Sequence, residues 1–303
     1  MRYSGSNLKL MVNNMQVNYT DMGPDEAPVI IFIHGFPLDK SMWDNQVEIF
    51  HEQFRVITYD IRGHGESDTG NEPFSIDLFV DDLIRFMDAI KISRASLCGL
   101  SMGGYIALHA IEHYPERFEA LVLCDTTCKA DSPQAKVKRL NTVESIIKNG
   151  VVNYALESVR NLFAPDSFSS KDAEINAVKK MILNTSELSL CSTLLALSAR
   201  KESCSILPEI NVPVLIMVGK EDGITPPKVA RLLHKSIKNS TLQVIEGAGH
   251  LSNLENPEAF NQHLKIFFDM IYKEHLIISQ TVDHTILREL RTKLNMLLSF
   301  RSI

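Results

Sequence analysis

The feature that most restricts the fold of this chain is a series of short, wholly apolar runs separated by stretches of helix length. The longest runs, which include Val29–Ile33 and Val214–Val218, are five residues each, whereas a membrane-spanning helix needs roughly 20. Strands that are apolar at every position are covered on both faces, as they are in parallel sheets with helical crossovers. The sequence therefore predicts an α/β fold and no integral membrane association.

Apolar and β-branched runs predict eight strands along the chain. They are Leu8–Val12, Gln16–Thr20, Val29–Ile33, Arg55–Tyr59, Ala95–Cys98, Ala120–Cys124, Val214–Val218 and Leu242–Ile245. Helical periodicity lies between or after them at Ser41–Phe50, Ile76–Ile90, Met102–His113, Lys228–Ile237 and Pro257–Ile271. After two leading strands the order is βαβαβαβ, so we expect a mostly parallel eight-stranded sheet flanked by helices.

The middle of the chain departs from this alternation. Residues 126–205 lack strand patterns and contain four helical segments, Val137–Lys148, Val152–Leu162, Ala173–Leu183 and Leu188–Ala199. Since the sheet must resume at Val214, this stretch predicts a helical cap inserted into one domain. We expect a core of residues 1–125 and 206–272, a cap of residues 126–205 and a C-terminal extension of residues 273–303. An apolar stripe from Ile286 to Leu298 predicts an extra helix in that extension.

Charge and cysteine content narrow the partners and the location. The 37 acidic and 31 basic residues give a formal charge of -6, which opposes binding to a nucleic-acid backbone. The five cysteines are odd in number and form no CxxC pair, so we expect reduced, mostly buried thiols and no zinc site. The N-terminal residues have no apolar segment of the kind found in secretory signals, and the predicted location is the cytoplasm.

A G-x-S-x-G motif lies between a predicted strand and a predicted helix. It reads Gly99-Leu100-Ser101-Met102-Gly103 and is followed by Gly104. A strand, tight turn and helix in this order is typical of a nucleophile elbow, in which glycines allow a strained serine between closely packed backbones. Ser101 is therefore the candidate nucleophile, and an ordinary turn serine is the alternative.

A serine hydroxyl needs a base, and the base needs an orienting carboxylate. Of the ten histidines, His250 is the candidate base because it follows the last strand in a loop of small residues. Asp222, just beyond the preceding strand, is the candidate carboxylate. The order Ser101, Asp222, His250 is the one in which this type of site places its triad. Asp125, at the end of the sixth strand, and Glu221 are the competing carboxylates.

The oxyanion of the reaction needs backbone N–H donors close to Ser101. The N–H of Met102 directly follows the nucleophile. The N–H of Phe36 is the second candidate, because Gly35 lets the loop after the third strand turn its amides inward. His34 in the same loop is expected to brace it rather than act as a base.

Two other histidine motifs have simpler interpretations. The Gly63-His64-Gly65 segment predicts a structural turn. His109 and His113 match an H-x-x-E-H metal pattern, but they fall on the helix that leaves the elbow, and nothing else in the sequence indicates a zinc enzyme. We therefore predict no metal site.

Six segments together resemble the α/β-hydrolase superfamily. They are HGFPLDKSMWDNQ (34–46), YDIRGHGESD (59–68), GLSMGG (99–104), PERFEALVLCDT (115–126), VPVLIMVGKEDGITPP (212–227) and GAGHLSNLENPEAF (247–260). HGFPLDKSMW joined to GLSMGG is most similar to the 3-oxoadipate enol-lactonase-like branch and small carboxylesterases. The resemblance implies an α/β-hydrolase fold, no cofactor, a triad of Ser101, Asp222 and His250, and an oxyanion hole from Phe36 and Met102.

The expected activity is hydrolysis of a small carboxylic ester or lactone through an acyl-enzyme. Carbon–carbon bond hydrolysis, acyl transfer and perhydrolysis use the same triad, and a ligand receptor without turnover is the alternative from another class. Between Lys129 and Glu202 there are 11 basic and 8 acidic residues. That balance suits a carboxylate-bearing substrate, although solvated helix faces explain it equally well. A homodimer through the cap or the C-terminal helix is a further predicted partner, and peripheral membrane attachment is a third interpretation of that helix.

Overall fold

A computed structural model describes residues 4–273 of the chain. The strands are β1 (Gly5–Val12), β2 (Met15–Met22), β3 (Val29–Ile33), β4 (Arg55–Tyr59), β5 (Ala95–Leu100), β6 (Phe118–Cys124), β7 (Val214–Gly219) and β8 (Ser240–Ile245). The helices are α1 (Asp44–Phe50), α2 (Ile76–Ala89), α3 (Met102–His113), α4 (Pro133–Leu162), α5 (Asp172–Asn184), α6 (Glu187–Ala199), α7 (Pro227–Ser236) and α8 (Ser252–Glu255). Short 3₁₀ helices lie at Lys40–Trp43, Pro115–Arg117, Pro165–Ser169 and Cys204–Glu209.

The eight strands form one sheet in the order β1-β2-β4-β3-β5-β6-β7-β8. The pairs β1–β2 and β2–β4 are antiparallel, and the pairs from β4 to β8 are parallel. This is the mostly parallel sheet that the sequence predicts. The parallel register aligns Ile33 with Gly99 and Leu100 with Cys124, so the carboxyl ends of β3, β5 and β6 meet at one edge.

Burial explains why the central strands are apolar throughout. Every residue of β4, β5 and β7 is buried, and the apolar face of α2, which includes Phe79, Leu83 and Phe86, belongs to the same core. The helix α3 is buried along most of its length, from Met102 to Ile111. An eight-stranded α/β sheet flanked by helices is therefore confirmed as the architecture, and its carboxyl edge is where side chains become accessible.

The helices α4, α5 and α6 lie between β6 and β7, and we call residues 126–205 the cap segment. The sequence predicts two helices where the structure has α4, and Gly150, with φ 81° and ψ 167°, interrupts α4 between them. A side chain at Gly150 would have open space around it. The left-handed backbone, rather than crowding, therefore favours glycine at this position.

Two cysteines contradict the expectation of reduced thiols. Cys128 and Cys204, 76 residues apart, form a disulfide with a Cα–Cα distance of 4.8 Å. The amide of Ser203 also donates to the carbonyl of Cys128 at 2.8 Å. Their spacing gives no local signal, because the pair meets only where the chain enters and leaves the cap segment. Cys98, Cys124 and Cys191 are free thiols.

The chain divides into two compact units, Met1–His263 and Leu264–Ile303. The first unit contains the sheet and helices α1 to α8. In the second unit, residues 264–273 are helical. The extra helix predicted from Ile286 to Leu298 lies outside the described residues, as does the rest of the C-terminal extension after Lys273.

Within residues 4–273, no single helix has the length and apolar content to cross a membrane. The helices α5 and α6 reach that length and composition only as a pair, and the pair is bent by 97°.

Candidate active site

Ser101 lies in a sharp turn between β5 and α3, with φ 52° and ψ -108°. A Cβ on Gly99 would lie 2.3 Å from the carbonyl oxygen of Gly103, and a Cβ on Gly103 would lie 2.2 Å from that of Ile33. Glycine is therefore the residue that permits this approach of backbones. A non-glycine residue at positive φ is strained, and such strain concentrates at functional positions. The turn holds Ser101 at the carboxyl edge of the sheet.

His250 and Asp222 form a buried hydrogen-bonded pair next to this edge. The Nδ1 atom of His250 lies 2.9 Å from Oδ2 of Asp222. The same carboxylate accepts hydrogen bonds from the amide of Ile224 at 2.7 Å and from the amide and hydroxyl of Thr225 at 2.9 and 2.6 Å. Asp222 thus has donors on both oxygens, and these fix its orientation toward the imidazole.

Burial and charge oppose each other in the Asp222–His250 pair. Burial alone raises the pKa of Asp222, but the charge and hydrogen bond of His250, together with Thr225, lower this pKa to about 2. Burial alone lowers the pKa of His250, but the charge and hydrogen bond of Asp222, together with the charges of Asp125 and Glu255, raise this pKa above the ordinary value. Asp222 is therefore ionised wherever His250 titrates, and it stabilises an imidazolium.

Asp125, the main competing carboxylate, is buried close by but binds other groups. Its Oδ1 accepts from the amide of Gly219 at 2.8 Å, and its Oδ2 accepts from the hydroxyl of Ser252. Burial, followed by the negative charge of Asp222, raises its pKa well above the ordinary value. Glu221, the other competitor, accepts from the amide of Ala248 at 3.0 Å. Asp125 and Glu221 therefore stabilise, through hydrogen bonds, the loops next to the Asp222–His250 pair.

The loop after β3 approaches the nucleophile closely. A Cβ on Gly35 would lie 3.1 Å from the carbonyl oxygen of Leu100 and 3.4 Å from Cβ of Ser101. His34 braces this loop, because its Nε2 accepts from the amide of Ile61 at 3.0 Å. This leaves Nδ1 as the donor to the carbonyl of Gly35, also at 3.0 Å. Burial lowers the pKa of His34 to about 4, so it is neutral in the pH range where enzymes operate.

Ser101, His250, Phe36 and Met102 all line one cavity of about 730 Å³, and residues of the cap segment line its other side. Its basic lining residues are Lys129, Lys138, Arg139, Arg160 and Arg200, and its acidic ones are Asp131 and Glu221. Asp131 forms ion pairs with Arg139 and Arg200, and Arg200 stacks over the ring of Tyr105 at 4.3 Å. The cavity therefore has an excess of positive charge.

Several supporting residues were not identified from the sequence. The short helix α8 carries Ser252, which binds Asp125, and Glu255, which binds the amides on both sides of His250. Nothing in the local pattern distinguishes Asp131 from other surface carboxylates. The turn at Asp222 had a detectable signal, because an aspartate side chain commonly accepts from the amide two residues further on, as Asp222 does from Ile224.

The other histidine motifs do not assemble into a site. His113 lies against the carbonyl of His109 through Nδ1 at 2.8 Å, and His109 Nδ1 lies 3.4 Å from a carboxylate oxygen of Asp77. In the part of the chain that the structure describes, no group of three or more His, Cys, Asp or Glu side chains has the geometry to hold a metal ion. His64 is buried in the turn after β4, where burial, and then His34, lower its pKa to about 3.

Comparisons with known proteins agree with the fold. A family model described as alpha/beta hydrolase fold matches residues 28–257. 3-Oxoadipate enol-lactonase 2 of Acinetobacter baylyi is 31% identical over 255 residues, which cover 83% of this chain and 92% of the relative. A thermophilic esterase from Thermogutta terrifontis is 31% identical with a TM-score of 0.82, covering 87% of this chain and 98% of the esterase. The enol-lactonase from Burkholderia xenovorans is 28% identical with a TM-score of 0.81, covering 86% and 99%.

Proposed function

Because this chain belongs to the alpha/beta hydrolase fold family, we propose that it hydrolyses a small carboxylic ester or lactone through an acyl-enzyme on Ser101. Its relatives include proteins named as enol-lactonases and esterases. The observation that carries the proposal is the 2.9 Å contact between His250 and Asp222, because His250 lines the same cavity as Ser101. That arrangement supplies a nucleophile, a base and an orienting carboxylate.

The proposed reaction proceeds in two stages. Since Nδ1 of His250 faces Asp222, its Nε2 is the nitrogen that takes the proton from Ser101 as the serine oxygen attacks the carbonyl carbon. The amides of Phe36 and Met102 stabilise the oxyanion. Protonated His250 then gives its proton to the leaving alkoxide, which departs as the alcohol. Water, deprotonated by the same Nε2, attacks the acyl-enzyme, and His250 then gives that proton to the Ser101 oxygen as the acid departs.

The ionisation of the neighbouring carboxylates suits this reaction. The low pKa of Asp222 keeps a negative charge beside the imidazolium that forms in each transition state. The pKa of Asp125 is raised, because this carboxyl is buried and lies near the negative charge of Asp222. Asp222 is the carboxylate that binds His250, whereas Asp125 accepts from the amide of Gly219 and the hydroxyl of Ser252.

The lining of the cavity favours a substrate that carries a carboxylate. Five basic and two acidic residues line it, and one of the acidic residues, Asp131, is already paired with Arg139 and Arg200. A carboxylate held by an arginine makes charge-assisted hydrogen bonds that orient it as well as bind it. The proposed substrate therefore has a reactive carbonyl at Ser101 and an anionic group beneath the cap segment.

The experiment on the reaction is a rate comparison between the parent and Ser101→Ala with p-nitrophenyl acetate. We expect the variant to lose activity by about 10⁶-fold in kcat, down to the residual rate given by binding and the oxyanion hole. A variant that hydrolyses the ester at the parental rate contradicts the proposal. Labelling of Ser101 by a fluorophosphonate without turnover in a broad ester panel identifies a receptor instead of an enzyme.

The experiment on substrate class compares ethyl esters of a monocarboxylic acid with the half-esters of dicarboxylic acids of equal length. We expect a higher kcat/KM for the half-esters and a loss of about tenfold on Arg139→Gln, because a hydrogen bond to a charged group contributes about 1.5–3 kcal/mol. Lys136→Gln, on the exposed side of α4, is the matched control. Equal rates for the two ester series contradict a carboxylate-binding pocket.

The cytoplasmic location remains a prediction from the sequence. Disulfides persist mainly in oxidising compartments, so the redox state of Cys128 and Cys204 in protein isolated under thiol-blocking conditions tests that location. A fully reduced pair agrees with the cytoplasm, and an oxidised pair contradicts it.

A further inference from the structure

Glu255 is buried between the loop that carries His250 and the end of the cap segment. It is 3% exposed. Its Oε1 accepts hydrogen bonds from the amides of Gly249 at 2.9 Å and Leu251 at 3.3 Å, the two neighbours of His250. Its Oε2 accepts from the amide of Ala164 at 2.7 Å and the hydroxyl of Ser167 at 2.6 Å. One carboxylate thus connects the histidine loop with the cap segment.

The two backbones that Glu255 joins also touch each other. The amide of His250 donates to the carbonyl of Leu162 at 2.9 Å. A Cβ on Gly249 would lie 2.6 Å from the amide nitrogen of Ala164, so nothing larger than glycine fits between them. A displacement of residues 162–167 therefore moves the backbone of His250 unless these bonds break.

The same residues of the cap segment face the substrate cavity. Leu162, Phe163 and Pro165 line it together with Ser101 and His250. A substrate group that packs against these three residues contacts the same stretch of chain that binds Glu255 through Ala164 and Ser167. The position of residues 162–167 therefore affects the position of His250, the proposed base.

We propose that Glu255 is a positioning residue that couples occupation of the cavity beneath the cap segment to the orientation of His250. This inference rests on the proposed ester hydrolysis. Binding energy from a part of the substrate remote from the carbonyl is then used to align the base, and it appears in kcat rather than only in KM. Substrates too short to reach residues 162–167 lose that contribution.

Glu255 also acts on His250 through its charge. Burial lowers the pKa of His250, whereas Asp222 most strongly, and then Asp125 and Glu255, raise it. Removing the charge of Glu255 therefore lowers the pKa of His250. The pH at which kcat/KM falls on the acid side then shifts downward, because neutral His250 persists to lower pH.

The test measures kcat, KM and the pH profile for p-nitrophenyl acetate and p-nitrophenyl hexanoate. The first variant is Glu255→Gln, in which one of the two accepting oxygens becomes an NH2 group that can only donate. The second is Ser167→Ala, which removes one donor to Glu255 from the cap segment and keeps the charge of Glu255. The control is Glu258→Gln, an exposed position three residues away. The thermal unfolding midpoint of each variant shows whether it is folded.

In the parent, we expect a higher kcat for the hexanoate than for the acetate. Glu255→Gln should lower kcat for the hexanoate at least about tenfold, since small misplacements of a catalytic group cost up to about 10²-fold. It should abolish the preference for the longer ester and shift the acid limb downward. Ser167→Ala should weaken the preference and leave the acid limb in place. Glu258→Gln should match the parent in both measurements.

Three results overturn the coupling. They are a parent without a kcat preference for the longer ester, a folded Glu255→Gln variant with parental preference and parental acid limb, and, if Glu255→Gln does not fold, a Ser167→Ala variant with parental preference. The proposed function fails separately, when Ser101→Ala retains the parental rate. An inactive Ser101→Ala with an unaffected Glu255→Gln contradicts only the role of Glu255.

Discussion

At the scale of single residues, the turn at Ser101 depends on the absence of side chains at its neighbours. Gly103→Ala should destabilise the protein by about 1–3 kcal/mol or more, because its Cβ would lie 2.2 Å from the carbonyl oxygen of Ile33. Gly223→Ala is the control, since a Cβ there meets nothing within 4 Å. Urea unfolding of both variants checks this, and equal stabilities would contradict the steric argument.

The two buried aspartates should respond differently to the same substitution. Asp222→Asn should lower kcat by about 10⁴-fold, because an amide facing Nδ1 of His250 favours the wrong tautomer. Asp125→Asn should retain more activity, because the Asp125 oxygens bind the amide of Gly219 and the hydroxyl of Ser252 and not His250. Steady-state kinetics with one ester decides between them. The reverse ranking would assign the orienting role to Asp125.

The acid limb of the parent reports the ionisation of His250. As pH falls through its pKa, the imidazole gains the proton that it must take from Ser101, so kcat/KM decreases. Asp222 stays ionised there, since its pKa is about 2. Because the pKa of His250 is raised, the midpoint should lie above the ordinary histidine value. A pH–rate profile with its midpoint below that value contradicts the assignment of His250 as base.

The residues of the site differ in how far the sequence could reveal them. Ser101 and His250 lie in glycine-rich motifs whose backbone requirements are written into the sequence. Asp222 was one of three plausible carboxylates, because the direction of a loop side chain depends on donors such as the Thr225 amide. Glu255 and Asp131 carry no such motif, and each has a partner, Ala164 and Arg200 respectively, that lies 91 or 69 residues away in the chain.

At the scale of elements, apolarity marks buried strands well and edge strands poorly. The observed β3, β4 and β7 match the predicted runs to within one residue. The edge strands β1 and β8 are each longer than predicted, beginning at Gly5 and Ser240, because their extra residues are partly exposed and polar. The helix α4 likewise begins at Pro133, capped by the Ser132 hydroxyl, which accepts from the Ala135 amide at 3.2 Å.

The Cys128–Cys204 disulfide, which joins the start and the end of the cap segment, is the feature at this scale that the sequence did not predict. It closes a loop of 76 residues that contains the whole of α4, α5 and α6. A crosslink that closes a long loop restricts the unfolded chain, so reduction should cost about 2–4 kcal/mol of stability. Cys128→Ser should show the same loss.

Denaturant unfolding with and without dithiothreitol measures this effect. Cys191→Ser is the control, because Cys191 is a free thiol on α6. Its stability should match that of the oxidised parent, and the reductant should affect the two equally. A parent whose stability does not respond to reductant contradicts a stabilising role for the bond.

At the scale of the whole molecule, the negative net charge is unevenly distributed. The chain carries -6 overall, yet the cavity beneath the cap segment has five basic lining residues and two acidic ones. An anionic substrate therefore meets repulsion from much of the chain and attraction at the site. The composition alone could not locate that attraction, because it depends on which charged side chains the fold places around the cavity.

Removal of residues 276–303 tests whether the C-terminal extension takes part in the reaction or in a dimer contact. Every residue proposed for the reaction lies between Phe36 and Glu255, within the unit that ends at His263. We therefore expect the shortened protein to keep the parental kcat/KM for p-nitrophenyl acetate. We expect the apolar stripe predicted from Ile286 to Leu298 to pack within its own chain and not against a second copy. Light scattering should therefore give the same number of chains per particle before and after removal. A parent dimer that becomes a monomer would identify the tail as the dimer contact, and a folded but inactive shortened protein would place the tail in the reaction.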